Sequence, residues 1–150
     1  MRGVLFVAAL FGLACGPLGP IPGGKLGGEP HRGDLPNWDF VADVETVQLE
    51  TRPDDPYSVN TWIGSYEGRL VVPTSLILGD DEPTEREWVR NVQSDPHVRL
   101  RIEGVVYELK AERVEDEATL EGARAALLSK YEEEPTHHAR RAWIYELGPR

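Results

Sequence analysis

The sequence predicts an α+β domain: six short, mostly antiparallel β-strands forming a compact barrel, with two short helices over its openings. Three observations carry this. Between Glu45 and Leu147, apolar and polar residues alternate in runs of strand length. Glu67-Gly68 and Glu103-Gly104 fall between such runs, where a tight hairpin would turn. Two windows carry helical spacing, around Trp88 and around Leu127.

Taken in order, Glu45 to Thr51 places Val47 and Leu49 on one face of a strand. Arg52-Pro53-Asp54-Asp55-Pro56 is a turn-rich break. Tyr57 to Tyr66 has β-branched and aromatic composition and reads as one strand. Glu67-Gly68 turns it into Arg69 to Ser75, which ends or runs along an edge at Pro73, because proline cannot donate to a ladder. Thr84-Glu85-Arg86-Glu87 has the spacing of a capping box and predicts a helix with Trp88, Val89 and Val92 inward, closed by Ser94-Asp95-Pro96. Val98, Leu100 and Ile102 alternate with Arg99 and Arg101, and Glu103-Gly104 turns that strand into Val105 to Val114. Asp116 caps a helix carrying Leu120, Ala123, Leu127 and Tyr131, and Ala142 to Leu147 is the last strand.

The N-terminus predicts export. Arg2 precedes an uncharged apolar run from Val4 to Ala14, the parts of a signal peptide, and the run is too short to span a bilayer as a helix. The single cysteine, Cys15, follows directly. Gly12-Leu13-Ala14-Cys15 resembles the lipobox of bacterial lipoproteins, with Gly12 departing from the usual Leu. The resemblance implies a signal peptide over residues 1–14, lipidation at Cys15 and anchoring in the cell envelope. Gly16, rather than Asp, after the cysteine implies the outer rather than the inner membrane of a Gram-negative cell. Residues 15–33, dense in Gly and Pro, read as a lipidated tether without a packed element, and residues 34–150 as the folded domain.

The chain has 150 residues and a formal net charge of −10. Nucleic acid is excluded as a partner by that balance, because phosphate recognition needs a basic stripe. No nucleophile elbow, zinc-protease motif or phosphate-cradling glycine loop is present. Any enzymatic chemistry would rest on a bound redox cofactor. His137-His138 lacks further ligands at zinc-like spacing and reads as a loop pair. Asp80-Asp81-Glu82 lacks the pattern of a calcium loop and reads as solvated. Trp88 and Asn91 read as packing and capping residues before they read as ligand contacts.

Trp88-x-x-Asn91-Val92-x-x-Asp95-Pro96-x-Val98 resembles the Trp-x-x-Asn-Leu-x-x-Asn-Pro-x-Val segment of deazaflavin-dependent nitroreductase-like proteins. These belong to the flavin-binding split β-barrels, the pyridoxamine-phosphate-oxidase-like superfamily. Ser58 to Ile63, Gly68 to Ser75, Leu128 to Tyr131 and Trp143 to Tyr145 resemble further parts of that fold. The resemblance implies a homodimer with FMN or a deazaflavin in its cleft, Ser58 and Asn60 near the phosphate, and Thr74 and Ser75 at the ring. Where relatives carry a Gly-Arg-Lys-Ser-Gly-like phosphate loop, this chain has Arg52-Pro53-Asp54-Asp55-Pro56, and two aspartates there repel a phosphate. The first functional expectation is therefore a ligand- or partner-binding lipoprotein that has lost its flavin. The alternative is a flavin- or deazaflavin-dependent reductase.

Overall fold

The computed structural model describes residues 16–77 and 82–150. The expected signal peptide, the lipobox with Cys15, and Asp80 and Asp81 lie outside the described residues. In chain order the strands are β1 (Glu29–Pro30), β2 (Val47–Thr51), β3 (Tyr57–Thr61), β4 (Gly64–Tyr66), β5 (Arg69–Pro73), β6 (His97–Ile102), β7 (Val105–Arg113) and β8 (Ile144–Gly148). The helices are α1 (Glu87–Ser94), α2 (Glu117–Lys130) and α3 (His137–Arg141). One sheet runs β3-β2-β6-β7-β8-β5-β4, with the short β1 added to β7. Every pairing is antiparallel except β1 with β7. The barrel is split: its two edges, β3 and β4, follow each other in the chain yet do not pair.

Eight strands stand where six were expected, and the break at Trp62-Ile63 is caused by two residues distant in the chain. The Ile63 N–H donates to the Tyr131 hydroxyl at 2.9 Å, and the Ile63 carbonyl accepts from Lys130 Nζ at 2.6 Å. These bonds turn the Ile63 backbone away from a strand ladder and toward the end of α2. Both expected hairpins are present. Their central residues have φ of 50° and 75° at Glu67-Gly68, and 48° and 87° at Glu103-Gly104. Positive φ at both positions matches the twist that two-residue hairpins need.

The inner face of the sheet packs Val47, Leu49, Leu100 and Leu109 against Trp88, Val89 and Val92 of α1. A second cluster joins Val71 and Ile144 to Ala123, Leu127 and Leu128 of α2. Asp116 caps α2 by accepting from the Thr119 N–H at 2.9 Å, as its sequence position predicts. The capping box at Thr84 does not form. Pro83 opens a separate 3-10 turn over Pro83–Glu85, so Arg86 becomes the residue before α1 and no side chain caps that helix. Glu87 pairs instead with Arg52, at 3.2 Å. His137 and His138 lie on α3 rather than in a loop, because Thr136 caps a short helix there.

The larger departure is the segment expected to be an unpacked tether. Leu26 is 1% exposed, Gly23 exchanges two 2.8 Å backbone bonds with Ser58, and Glu29–Pro30 forms β1. Five side chains from three adjacent strands donate to its carbonyls. Gln48 reaches Pro17, Ser58 reaches Gly24, Asn60 reaches Gly19, Arg99 reaches Leu26 and Arg101 reaches Gly27. The Leu26 N–H in turn donates to Glu50, which pairs with Arg99 at 2.9 Å. Glycine and proline leave this segment without side chains to pack, yet its carbonyls are accessible acceptors, and the sheet supplies the donors. Residues 16–31 form a strap across β3, β2 and β6.

Candidate functional site

A groove of about 170 Å³ opens at the split in the barrel. Asn60 and Thr61 reach it from the end of β3, Trp62 from the break, and Pro73 to Ile77 from the end of β5 and the turn after it. Arg86 enters from the residue before α1. One cation, an amide, three hydroxyls and an indole thus converge on one concave surface.

Each part is held by a traceable contact. Trp62 stacks on Tyr131 with ring centroids 4.0 Å apart and planes inclined by 6°. Tyr131 is fixed by bonds from its hydroxyl to the carbonyls of Glu45 at 2.6 Å and Ile63 at 3.1 Å. Burial pushes the Tyr131 phenol up from its ordinary value, so it stays a donor at neutral pH. The neighbouring Lys130 ammonium donates to Val41, Val44 and Ile63 carbonyls at 2.7, 2.6 and 2.6 Å. These two residues tie the floor of the groove to the C-terminal end of α2. Thr74 closes the opposite side: its hydroxyl accepts from the Trp143 N–H at 3.0 Å, and its own N–H donates to the Trp143 carbonyl at 2.9 Å.

Three of the four residues expected at a cofactor site, Asn60, Thr74 and Ser75, come together here. Ser58 does not. It is fully buried and its hydroxyl donates to Gly24 of the strap at 2.7 Å. Asn60 both lines the groove and donates to Gly19 at 2.8 Å. The Arg52–Pro56 turn offers no cation to a ligand. Arg52 bonds Asp55 and Glu87 and covers the Tyr57 ring at 5.6 Å. Asp54 and Asp55 stay exposed beside it.

Trp88 packs as expected, whereas Asn91, expected to cap, is buried within α1 and ties it to β2. Trp88 is 5% exposed and meets Tyr145 edge-on, while Asn91 donates to the buried Thr51 hydroxyl at 3.0 Å. Sequence reasoning missed Arg86 as a groove residue. The capping-box reading of Thr84 to Glu87 gives Arg86 no role of its own, and the 3-10 turn at Pro83 places it just before α1. Among the described residues no group of three metal-ligating side chains could hold an ion, and no helix is long and apolar enough to cross a membrane.

The donor set fits one end of an anionic, planar cofactor: a guanidinium and hydroxyls for the anion, an indole beside the ring. It does not extend to the 52–56 turn, where carboxylates stand.

Comparison with known proteins agrees with this architecture. A conserved hypothetical protein from Mycobacterium tuberculosis superposes with a TM-score of 0.58 at 21% identity, covering 75% of this chain and 77% of that one. The heme storage protein of Vibrio cholerae gives 0.54 at 16% identity over 74% and 85% of the two chains. An F420 reductase gives 0.50 at 20% identity over 77% and 96%. At these identities the likeness is one of fold. No curated protein matches the sequence significantly. The sequence model of the F420H(2)-dependent quinone reductase family matches residues 63–141, which include β4 to β7, all three helices and six of the nine groove residues. On that match, the chain belongs to the F420H(2)-dependent quinone reductase family.

Proposed function

We propose that the protein is a lipid-anchored, envelope-facing member of this family that binds a deazaflavin or flavin in the groove and acts as an oxidoreductase on a small molecule. The observation that carries the reading is the convergence of Arg86 with Asn60, Ser75 and Trp62 at the split of the barrel. Arg86 and Ser75 would take the anionic group, and Trp62 would flank the ring. When reduced, such a ring supplies a hydride. The chain's own contribution is binding and orientation, through an indole fixed by Tyr131 and a strand end fixed by Trp143.

The size of the groove favours a second copy. Sites for molecules of this class occupy roughly 300–1,000 Å³, and one chain offers about 170 Å³. A homodimer completing the cleft supplies the remainder. The apolar run Val4 to Ala14 and the lipobox-like Gly12-Leu13-Ala14-Cys15 support placement in the envelope, with Cys15 acylated and residues 1–14 removed.

A second reading has its own observation. Ser58 is sealed by the strap, and Arg52 is held by Glu87 and Asp55. A binding module that takes a smaller anion without a flavin would show both. Titration of the purified protein with FMN, and separately with the deazaflavin cofactor, separates the two. Saturable fluorescence quenching at micromolar concentration, weakened about tenfold or more by Arg86→Gln, is the expected result. No binding of either cofactor retires the redox reading in favour of the module.

A further inference from the structure

We infer that the turn Leu18-Gly19-Pro20-Ile21 is a membrane-contact tip, held by the strap so that the β3-β2-β6 face of the barrel lies against a lipid bilayer. This rests on the proposal that Cys15 is acylated. The tip is a defined turn: Leu18 and Ile21 exchange backbone bonds of 3.0 and 2.9 Å. Their side chains point into solvent, with 74% and 63% of each residue exposed, the two most exposed large aliphatic residues among those described. Asn60 fixes the turn by donating to Gly19, and Gln48 approaches Pro17 at 3.4 Å.

Covalent reach makes the occupant specific. Leu18 is three residues from Cys15, and an extended chain spans at most about 3.6 Å per residue, so the two lie within roughly 11 Å. With the acyl chains of Cys15 in the hydrocarbon, a tip that close sits in the headgroup zone. A flexible tether would allow the barrel to drift away, but this one is pinned to the sheet by five side-chain donors and a buried leucine. Gly16 shows how near the pinning begins: a methyl group there would meet the Arg101 guanidinium at 3.1 Å and Gln48 at 3.5 Å.

Charge agrees independently. The whole chain holds 26 acidic and 16 basic residues, yet Gly16 to Gly28 contains no carboxylate and one cation, Lys25. Lys25 is exposed. An acidic protein is repelled by an anionic leaflet, and this stretch adds no carboxylate to that repulsion. Two exposed aliphatic side chains beside a single cation fit the boundary between headgroups and acyl chains.

The experiment uses the lipidated protein in vesicles of phosphatidylethanolamine and phosphatidylglycerol carrying brominated acyl chains. Cys15 is the chain's only cysteine, so once it is acylated an introduced thiol can be labelled alone. Ile21→Cys carries an environment-sensitive dye at the tip, and Ser129→Cys, exposed on α2, is the reference. A blue-shifted dye at 21, quenched at least twofold more than the dye at 129, is expected. An acylated protein whose two dyes are equally wet overturns the inference while leaving the anchor standing. Mass spectrometry finding Cys15 unmodified overturns both.

Discussion

Replacing Lys130 by methionine keeps the length and apolar stem of the side chain and removes its three donors. In the native protein those donors meet the carbonyls of Val41, Val44 and Ile63, at 2.7, 2.6 and 2.6 Å. Each bond from a charged donor is worth about 1.5–3 kcal/mol net, but the three share one ammonium and are not additive. Burial also lowers the Lys130 pKa, which means that part of their strength is offset by desolvation of the charge. The Ile63 carbonyl keeps the Tyr131 hydroxyl and the Val41 carbonyl keeps the Val44 N–H at 3.1 Å, whereas the Val44 carbonyl loses the donor described for it. A loss of about 2 kcal/mol follows, from one carbonyl left short at ~1–3 kcal/mol and two weakened. For a domain of this size that lowers Tm by roughly 4–8 °C. Lys130→Arg should rescue little, because a planar fork cannot aim at three carbonyls around one point. Urea unfolding followed by far-UV dichroism measures the loss, with Ser129→Ala as the neighbouring control. A Lys130→Met protein within 1 kcal/mol of the parent would refute the assignment of this amine as the tie between α2 and the floor of the groove.

Other perturbations test other parts of the fold. Gly122→Ala should destabilise, reversing the usual gain of alanine over glycine in a helix, because its methyl group would overlap the Tyr66 ring. An overpacking cost of about 1–3 kcal/mol is expected by thermal unfolding. Leu26→Ala should cost about 2–4 kcal/mol through the cavity it leaves, and should speed proteolysis within residues 16–31 ahead of the barrel. The Asp116 carboxylate is held below its ordinary range by the Thr119 N–H it accepts. With the folded value depressed, its contribution is present above the unfolded pKa and is lost as pH falls through the folded one. Thermal unfolding should therefore show Asp116→Ala converging on the parent as pH drops below 3.8, the ordinary value.

The hairpins and α2 were legible because their signals are local. A Glu-Gly pair between alternating runs must turn, and an aspartate before a helical stripe caps it wherever the rest of the chain lies. The break at Trp62-Ile63 was not, since the groups that cause it, Lys130 and Tyr131, stand 67 and 68 residues away. Arg86 was misread for a nearer reason. Thr84 and Glu87 have capping-box spacing, and nothing in that spacing says that Pro83 will start a separate turn and leave Arg86 outside the helix.

The strap exposes the deeper limit. Composition correctly says that residues 16–31 have almost no side chains with which to make a core, and from that a tether follows. Yet every glycine and proline still carries a carbonyl, and a sheet face bearing Gln48, Ser58, Asn60, Arg99 and Arg101 orders such a segment largely through those carbonyls, with Leu26 as its one buried aliphatic anchor. The same fact divides the candidate site. Ser58 and Asn60 carry the donor chemistry expected of a ligand-binding strand, but Ser58 spends it wholly on the strap, and Asn60 shares itself between strap and groove. The groove itself is lined by Trp62, Ser75 and Arg86 beside Asn60, with Ser58 outside it. Because Arg86 lines the groove and Ser58 does not, the affinity of any cofactor held there should respond to Arg86 far more than to Ser58.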